Sequence, residues 1–403
     1  MKKHYSCLTL LLLAGLLAMC SSKPAQSSSW VGTWGTAPQL VEPHNRPPEP
    51  GLTGHTLRQI FKVSIGGDTV RMTFSNEYSE EPVTLEAVSI ALSTGGFRTD
   101  AASACQLTFG GQTEVTMAPG ATAVSDPVGF RLPPQAEVAV TIRFGQTSPM
   151  TVTGHPGSRT TSYLLTDSPS SDEDFASAVT TDHWYVLRGM DVLTAAPAAS
   201  VAILGNSITD GRGSDTNRQN RWPDQLAAHL LSHEETSHVG ILNMGIGGNC
   251  VLRERGGLGP SGEARFASDI LAQAGVKWLI ICEGVNDLCT SPDARQTAER
   301  LKEVFRDMAD RAHAQGLKVY AATVMPFKNH YYFTLDHEAG RQILNEWIRQ
   351  ADCFDAVIDF DALVRDPSDS EVMQAAYQSD YLHLNPAGYA LMGTSIDYRL
   401  FRQ

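Results

Sequence analysis

The sequence predicts an N-terminal β-sandwich followed by a C-terminal three-layer α/β domain built on a parallel sheet. Three observations predict it. Residues 30–195 carry short apolar or alternating runs punctuated by Gly, Pro, Asn and Asp, with no long stretch of helical period. From about Ala196 the rhythm changes to short, wholly apolar runs with helical stretches between them. Strands buried on both faces and joined by crossover helices look like this. Finally, 403 residues is long for one domain.

In the first half, TLRQIFKVSIG, DTVRMTFSNEY, VTLEAVSIAL, TEVTMA and EVAVTIRFG are the strand candidates. Trp30 and Trp34 are read here as packing residues rather than a sugar platform. In the second half the strands are SVAILGN, HVGILNMGI, VKWLIICEG, LKVYAATVMP and FDAVIDFD. The clearest helix is ARQTAERLKEVFRDMADRAHAQG. Leu301, Val304, Phe305, Met308 and Ala312 share one of its faces, and Gly316 closes it. No internal repeat is visible.

The chain starts MKKHYSCLTLLLLAGLLAMCSSK. Lys2 and Lys3 precede an apolar run from Leu8 to Leu17, the pattern of an export signal too short to span a membrane well. We place this signal at residues 1–19. LLAMC resembles the lipobox of bacterial lipoproteins, with Met19 departing from the usual small residue. The resemblance implies lipidation of Cys20 and a serine-rich tether over residues 20–29. The β-sandwich is expected over 30–195 and the α/β domain over 196–403, in an exported protein facing the periplasm or cell surface.

Formal net charge is −13, with 42% hydrophobic and 19% charged residues. An acidic chain without a long basic run argues against nucleic acid or an anionic membrane surface as partner. It does not repel neutral substrates such as acylated sugars. Beyond Cys7 and Cys20 there are five cysteines, Cys105, Cys250, Cys282, Cys289 and Cys353. None has zinc-like spacing, and the odd number leaves at least one unpaired. They read as buried small hydrophobes, with a Cys250–Cys289 disulfide as the alternative. No metal or organic cofactor is expected.

The chemistry lies at strand ends. The first strand of the second half runs into GNSITDG with Ser207, the second into NMGIGGN with Gly245, Gly247 and Gly248, and the third into EGVND with Gly284, Asn286 and Asp287. Near the C-terminus comes SDYLHLNPAG with Asp380 and His383. A parallel sheet brings such ends to one edge. Ser207 alone reads equally as a helix cap. Beside the other blocks it reads as a nucleophile, with His383 as its base and Asp380 fixing the imidazole tautomer. The backbone N–H groups of Ser207 and Gly248 and the side-chain amide of Asn286 are the candidate oxyanion donors.

In these four ordered blocks, which fall in about half of the chain, the sequence resembles the SGNH hydrolases, also called the GDSL family. The resemblance implies an SGNH α/β fold, ester hydrolysis without a cofactor, and the roles just given to Ser207, Gly248, Asn286, Asp380 and His383. Asn206 stands where the first block usually has Asp. SWVGTWGTAPQ, the interposed β-domain, GNSITDG and RWPDQLA are similar to a bacterial acylhydrolase subgroup, some of whose members are associated with xylan degradation. That implies a carbohydrate O-acetylesterase.

Short loops after the strands point to a small acyl group, acetyl first. The rival readings are a lipase, thioesterase or arylesterase of the same fold, and a non-catalytic carbohydrate-binding protein. Asp287 is expected to brace loops. Asp210 and Arg212 either shape the pocket mouth or only form a turn. Tyr331 and Tyr332 either stack on a sugar or belong to a plain loop.

Overall fold

The computed structural model describes residues 28–195 and 198–403. The export signal, Cys20 and most of the expected tether therefore lie outside the described residues. The tether's last two residues, Ser28 and Ser29, belong to the first strand, Ser28–Gly35, where Ser29 pairs with Thr194.

The N-terminal half is a set of antiparallel sheets around one core. A five-stranded sheet runs in the order Ser28–Gly35, Leu187–Ala195, Gly67–Asn76, Val128–Leu132, with Ala121–Val124 also paired to Gly67–Asn76. A larger curled sheet is built around Thr56–Lys62, Glu137–Phe144 and Val83–Gly95. Alternation in DTVRMTF sends Val70, Met72 and Phe74 inward, where all three are fully buried. Trp34 stacks on Phe61 with ring centroids 3.9 Å apart and meets Trp184 edge-on at 5.1 Å, so it is a packing residue. Trp30 lies under the Arg71 guanidinium at the sheet surface.

The C-terminal half carries a five-stranded parallel sheet in the order Val239–Gly245, Ala199–Gly205, Val276–Cys282, Lys318–Ala322, Ala356–Ile358. All seven residues of Ala199–Gly205 are buried, as two-sided covering requires. The predicted helix appears as Ala294–His313, burying Leu301, Phe305, Met308 and Ala312. Strand order reverses beside Ala199–Gly205, so the crevice at the carboxyl ends of that strand and Val276–Cys282 is where such sheets take ligands.

The two halves share a tight seam. The edge strand Val239–Gly245 lies against Ser28–Gly35, and a Cβ on Gly32 would fall 2.9 Å from Leu242. Ser64 Oγ accepts from the Ile241 N–H at 3.0 Å, and Gly32 N–H donates to Ala274 O at 2.9 Å. An otherwise open sheet edge is thus covered by the N-terminal half.

Cys250, Cys282, Cys289 and Cys353 are buried, as their main reading expects, while the disulfide alternative and the short-loop expectation do not hold. All five described cysteines are free, and Cys250 and Cys289 form no disulfide. Burial pushes the Cys250 and Cys282 thiols up to about 12, which keeps them inert. The loops after the strands are also not uniformly short. Residues 246–261 and 323–334 are long connections, and both reach the crevice.

Candidate active site

The first three blocks land at strand ends, where the sheet topology sends them, while Asp380 and His383 lie in the connection between the helices Phe360–Val364 and Pro386–Ser395. Gly205 ends its strand, and Ser207 starts the short helix Ser207–Asp210. Asn206 caps that helix, its Oδ1 accepting from Ile208 N–H at 3.0 Å. The Ser207 N–H, at the first helical position, meets no acceptor among the described residues.

Ser207 Oγ lies 2.8 Å from His383 Nε2. His383 Nδ1 lies 2.8 and 3.1 Å from the two Asp380 oxygens. A carboxylate on that side assigns the ring proton to Nδ1, leaving Nε2 to accept from the serine hydroxyl. Tyr381, between the two, adopts φ +66°, and this turn lets side chains three residues apart meet. Burial works to raise the Asp380 carboxyl, but the His383 ring and the N–H groups of His383 and Leu382 outweigh it. The carboxyl is held well below the ordinary range.

Gly248 has φ +74°, a conformation that favours glycine, and the tip of Leu258 packs over its Cα. Its N–H also meets no acceptor among the described residues. Asn286 follows Gly284, which takes φ +107° at the helix start. Its Nδ2 donates to Asn249 O at 2.9 Å, which leaves one amide N–H. Asp287 is a brace, as expected. Its oxygens accept from the N–H groups of Val251 and Leu252, both at 2.9 Å, and so pin the Gly248 loop. Burial pushes its carboxyl up to about 6 against those two bonds.

Two buried residues were missed by the sequence reading, and a third feature was left open by it. Arg265, fully buried, donates to Gly205 O, Met244 O and Asn249 Oδ1, tying the ends of two strands to the Gly248 loop. Glu283 is buried beside it and accepts from Asn206 Nδ2 at 3.0 Å. This contact ties the turn that bears Ser207 to the end of the strand Val276–Cys282. The third feature is the N-terminal half itself. Glu42, His44, Asn45, Pro156, Arg159 and His183 form one wall of a cleft of about 710 Å³ whose floor holds Ser207, Gly248, Asn286 and His383. Asp210, Arg212, Tyr331 and Tyr332 line it too, so they belong to the pocket rather than to bland turns. Tyr331 is 80% exposed.

Burial lifts the Glu283 carboxyl from an ordinary 4.5 to about 8, with the Arg265 guanidinium 3.7 Å away opposing the rise. A folded-state pKa above the unfolded one favours the protonated form. This stabilisation is full below the unfolded value and is lost as pH rises through the folded one. Thermal stability is therefore expected to fall as pH rises towards about 8, beyond the midpoint near 6 at which Asp287 titrates. Calorimetry of Glu283→Gln should show a flatter slope there. An unchanged slope would assign the pH dependence elsewhere.

Residues 203–391 match the model of the GDSL-like lipase/acylhydrolase family. Among solved structures, the chain is similar to a putative lipolytic protein of the G-D-S-L family from Desulfitobacterium hafniense DCB-2. That match has 20% identity and TM-score 0.37, covering 48% of this chain and 95% of that one. It is also similar to a catalytic mutant of an acetylxylan esterase from Geobacillus stearothermophilus, at 16% identity and TM-score 0.37 over 50% and 95% of the two chains. A lipase/acylhydrolase from Enterococcus faecalis matches at 19% identity and TM-score 0.38 over 50% and 94%. No curated protein matches the chain.

Proposed function

From the premise that residues 203–391 form a GDSL-like lipase/acylhydrolase domain, we propose a serine esterase that removes small acyl groups, acetyl first, from carbohydrate such as xylan. The observation that carries the chemistry is the continuous chain Ser207 Oγ–His383 Nε2 at 2.8 Å and His383 Nδ1–Asp380 at 2.8 Å.

As Ser207 Oγ attacks the ester carbonyl, its proton passes to His383 Nε2. Asp380 holds the imidazole and stabilises the imidazolium. The tetrahedral oxyanion is received by the Ser207 and Gly248 N–H groups and the remaining Asn286 amide N–H, each such donor contributing about 3 kcal/mol. His383 returns the proton to the leaving alcohol. Water, deprotonated by His383 in turn, attacks the acyl-enzyme and restores Ser207.

The carbohydrate half of the reading is supported by the cleft lining. Aliphatic side chains are few there, chiefly Leu258 and Leu382, while Gln39, Glu42, His44, Asn45 and three arginines supply polar atoms. Tyr331 and Tyr332 add aromatic faces, so the lining offers a sugar both hydrogen-bonding atoms and apolar ring faces. The working place we propose is the periplasm or cell surface, with a lipid anchor at Cys20, in keeping with the first residues of the sequence.

The test is acetate release from acetylated xylan, pectin, mannan, peptidoglycan and a sialylated glycan, wild type against Ser207→Ala. Release from xylan that the substitution abolishes is the expected result. Release from no polymer, with octanoyl esters preferred over acetyl, would overturn the carbohydrate reading and leave the esterase.

A further inference from the structure

We infer that the ester's alcohol part carries a carboxylate, as an acetylated polysaccharide or xylan with acidic side groups does, and that Arg255 is the residue that receives it. The inference rests on the esterase reading above and on acetyl as the acyl group, since acetyl has no charge of its own to offer.

Arg255 lies on the long loop after Val239–Gly245 and lines the cleft beside the candidate oxyanion donors. Its guanidinium is half-buried, and its two side-chain bonds are to neutral oxygens. Nη2 donates to Tyr332 Oη at 2.6 Å and Nη1 to Asn286 Oδ1 at 3.4 Å. It forms no ion pair with a carboxylate among the described residues, and the rest of its five N–H donors are left to the cleft.

The carboxylates that line the same cleft are already engaged. Asp380 has His383 at 2.8 Å and Asp210 has His155 at 2.9 Å. Glu42 accepts from Gln39 and Asn45, both at 3.2 Å. A partly desolvated cation without a counter-charge is costly, and a ligand can supply what the fold withholds. The planar fork of a guanidinium suits a carboxylate in particular. In a chain of net charge −13, placing this arginine at the reacting centre also focuses positive potential where the rest of the surface repels anions.

The bonds to Asn286 and Tyr332 mean that removing Arg255 disturbs hydrolysis of every ester, so the informative quantity is a ratio. The probes are 3-acetoxybenzoate and its methyl ester, which differ by one charge. Each kcat/KM is divided by the hydroxide-catalysed rate for that ester. Wild type is expected to favour the carboxylate at least about 10-fold, a preference that shrinks with added salt. Arg255→Gln should bring the ratio to about one. A wild-type ratio of one or below overturns the inference, and so does a preference that survives in Arg255→Gln. Failure to cleave either probe while p-nitrophenyl acetate is hydrolysed also overturns it. Failure on all three esters instead removes the esterase reading beneath it.

Discussion

Ser207→Ala is expected to lower kcat on p-nitrophenyl acetate by at least about 10⁴-fold while leaving the fold intact. The serine hydroxyl makes one side-chain contact, to His383 Nε2, so its loss opens no cavity of consequence. Among the described residues no other hydroxyl bonds that nitrogen, so none can replace it. His383→Ala should cost a similar factor, and the double variant little more, since the two side chains act as one unit. Rates on p-nitrophenyl acetate with active-site titration would measure all three. Residual activity within 100-fold of wild type in Ser207→Ala would move the nucleophile elsewhere. Additive losses in the double variant would deny that Ser207 and His383 share a step.

What was legible in the sequence follows a physical line. Ser207, Gly248 and Asn286 each sit in a short local block whose glycines and polar residues mark a strand end, and parallel order carries those three blocks to one edge. Asp380 and His383 instead lie between the helices Phe360–Val364 and Pro386–Ser395, where the local DYLH block, not strand order, made them legible. The crossover helix Ala294–His313 was legible for the same local reason, its 3.6-residue period. The residues missed have partners far away in the chain. Arg265 earns its place through Gly205 O, 60 positions upstream, and nothing in GEARF signals that. Arg255 and Tyr332 meet across 77 positions. The HPGSR stretch of the N-terminal half has no motif of its own and gains meaning only when it lies over the nucleophile turn. The short-loop expectation failed because apolar runs locate strands but say nothing of the path between 246 and 261.

That stretch carries the second large effect. His155 and Asp210 are 4% and 3% exposed, with Nε2 2.9 Å from Oδ1. The other ring nitrogen faces Ala37 O at 2.9 Å. Both neighbours are oxygens, so the ring is held at both of its nitrogens. Asp210 ends the helix that Ser207 begins, and Gly157 lies so close that a Cβ there would be 1.9 Å from Asp210 Oδ2. The N-terminal half thus grips the helix Ser207–Asp210 directly. His155→Ala strands a buried carboxylate whose next cation, Arg159, is 3.9 Å away, and is expected to cost about 3–5 kcal/mol. Calorimetry should show an unfolding midpoint lower by roughly 10 °C. The kcat on p-nitrophenyl acetate should also fall, measured well below that midpoint so that unfolding does not contribute. His155→Gln, which can still donate to Asp210, should recover part of both. A variant that melts early yet keeps full kcat would reduce the contact to domain docking. A variant unmoved in both would mean that the pair is solvated in solution and that the N-terminal half only borders the site. A loss in both, partly restored by glutamine, would make the N-terminal half a working part of the esterase, because the same contact that docks it also fixes the turn bearing the nucleophile.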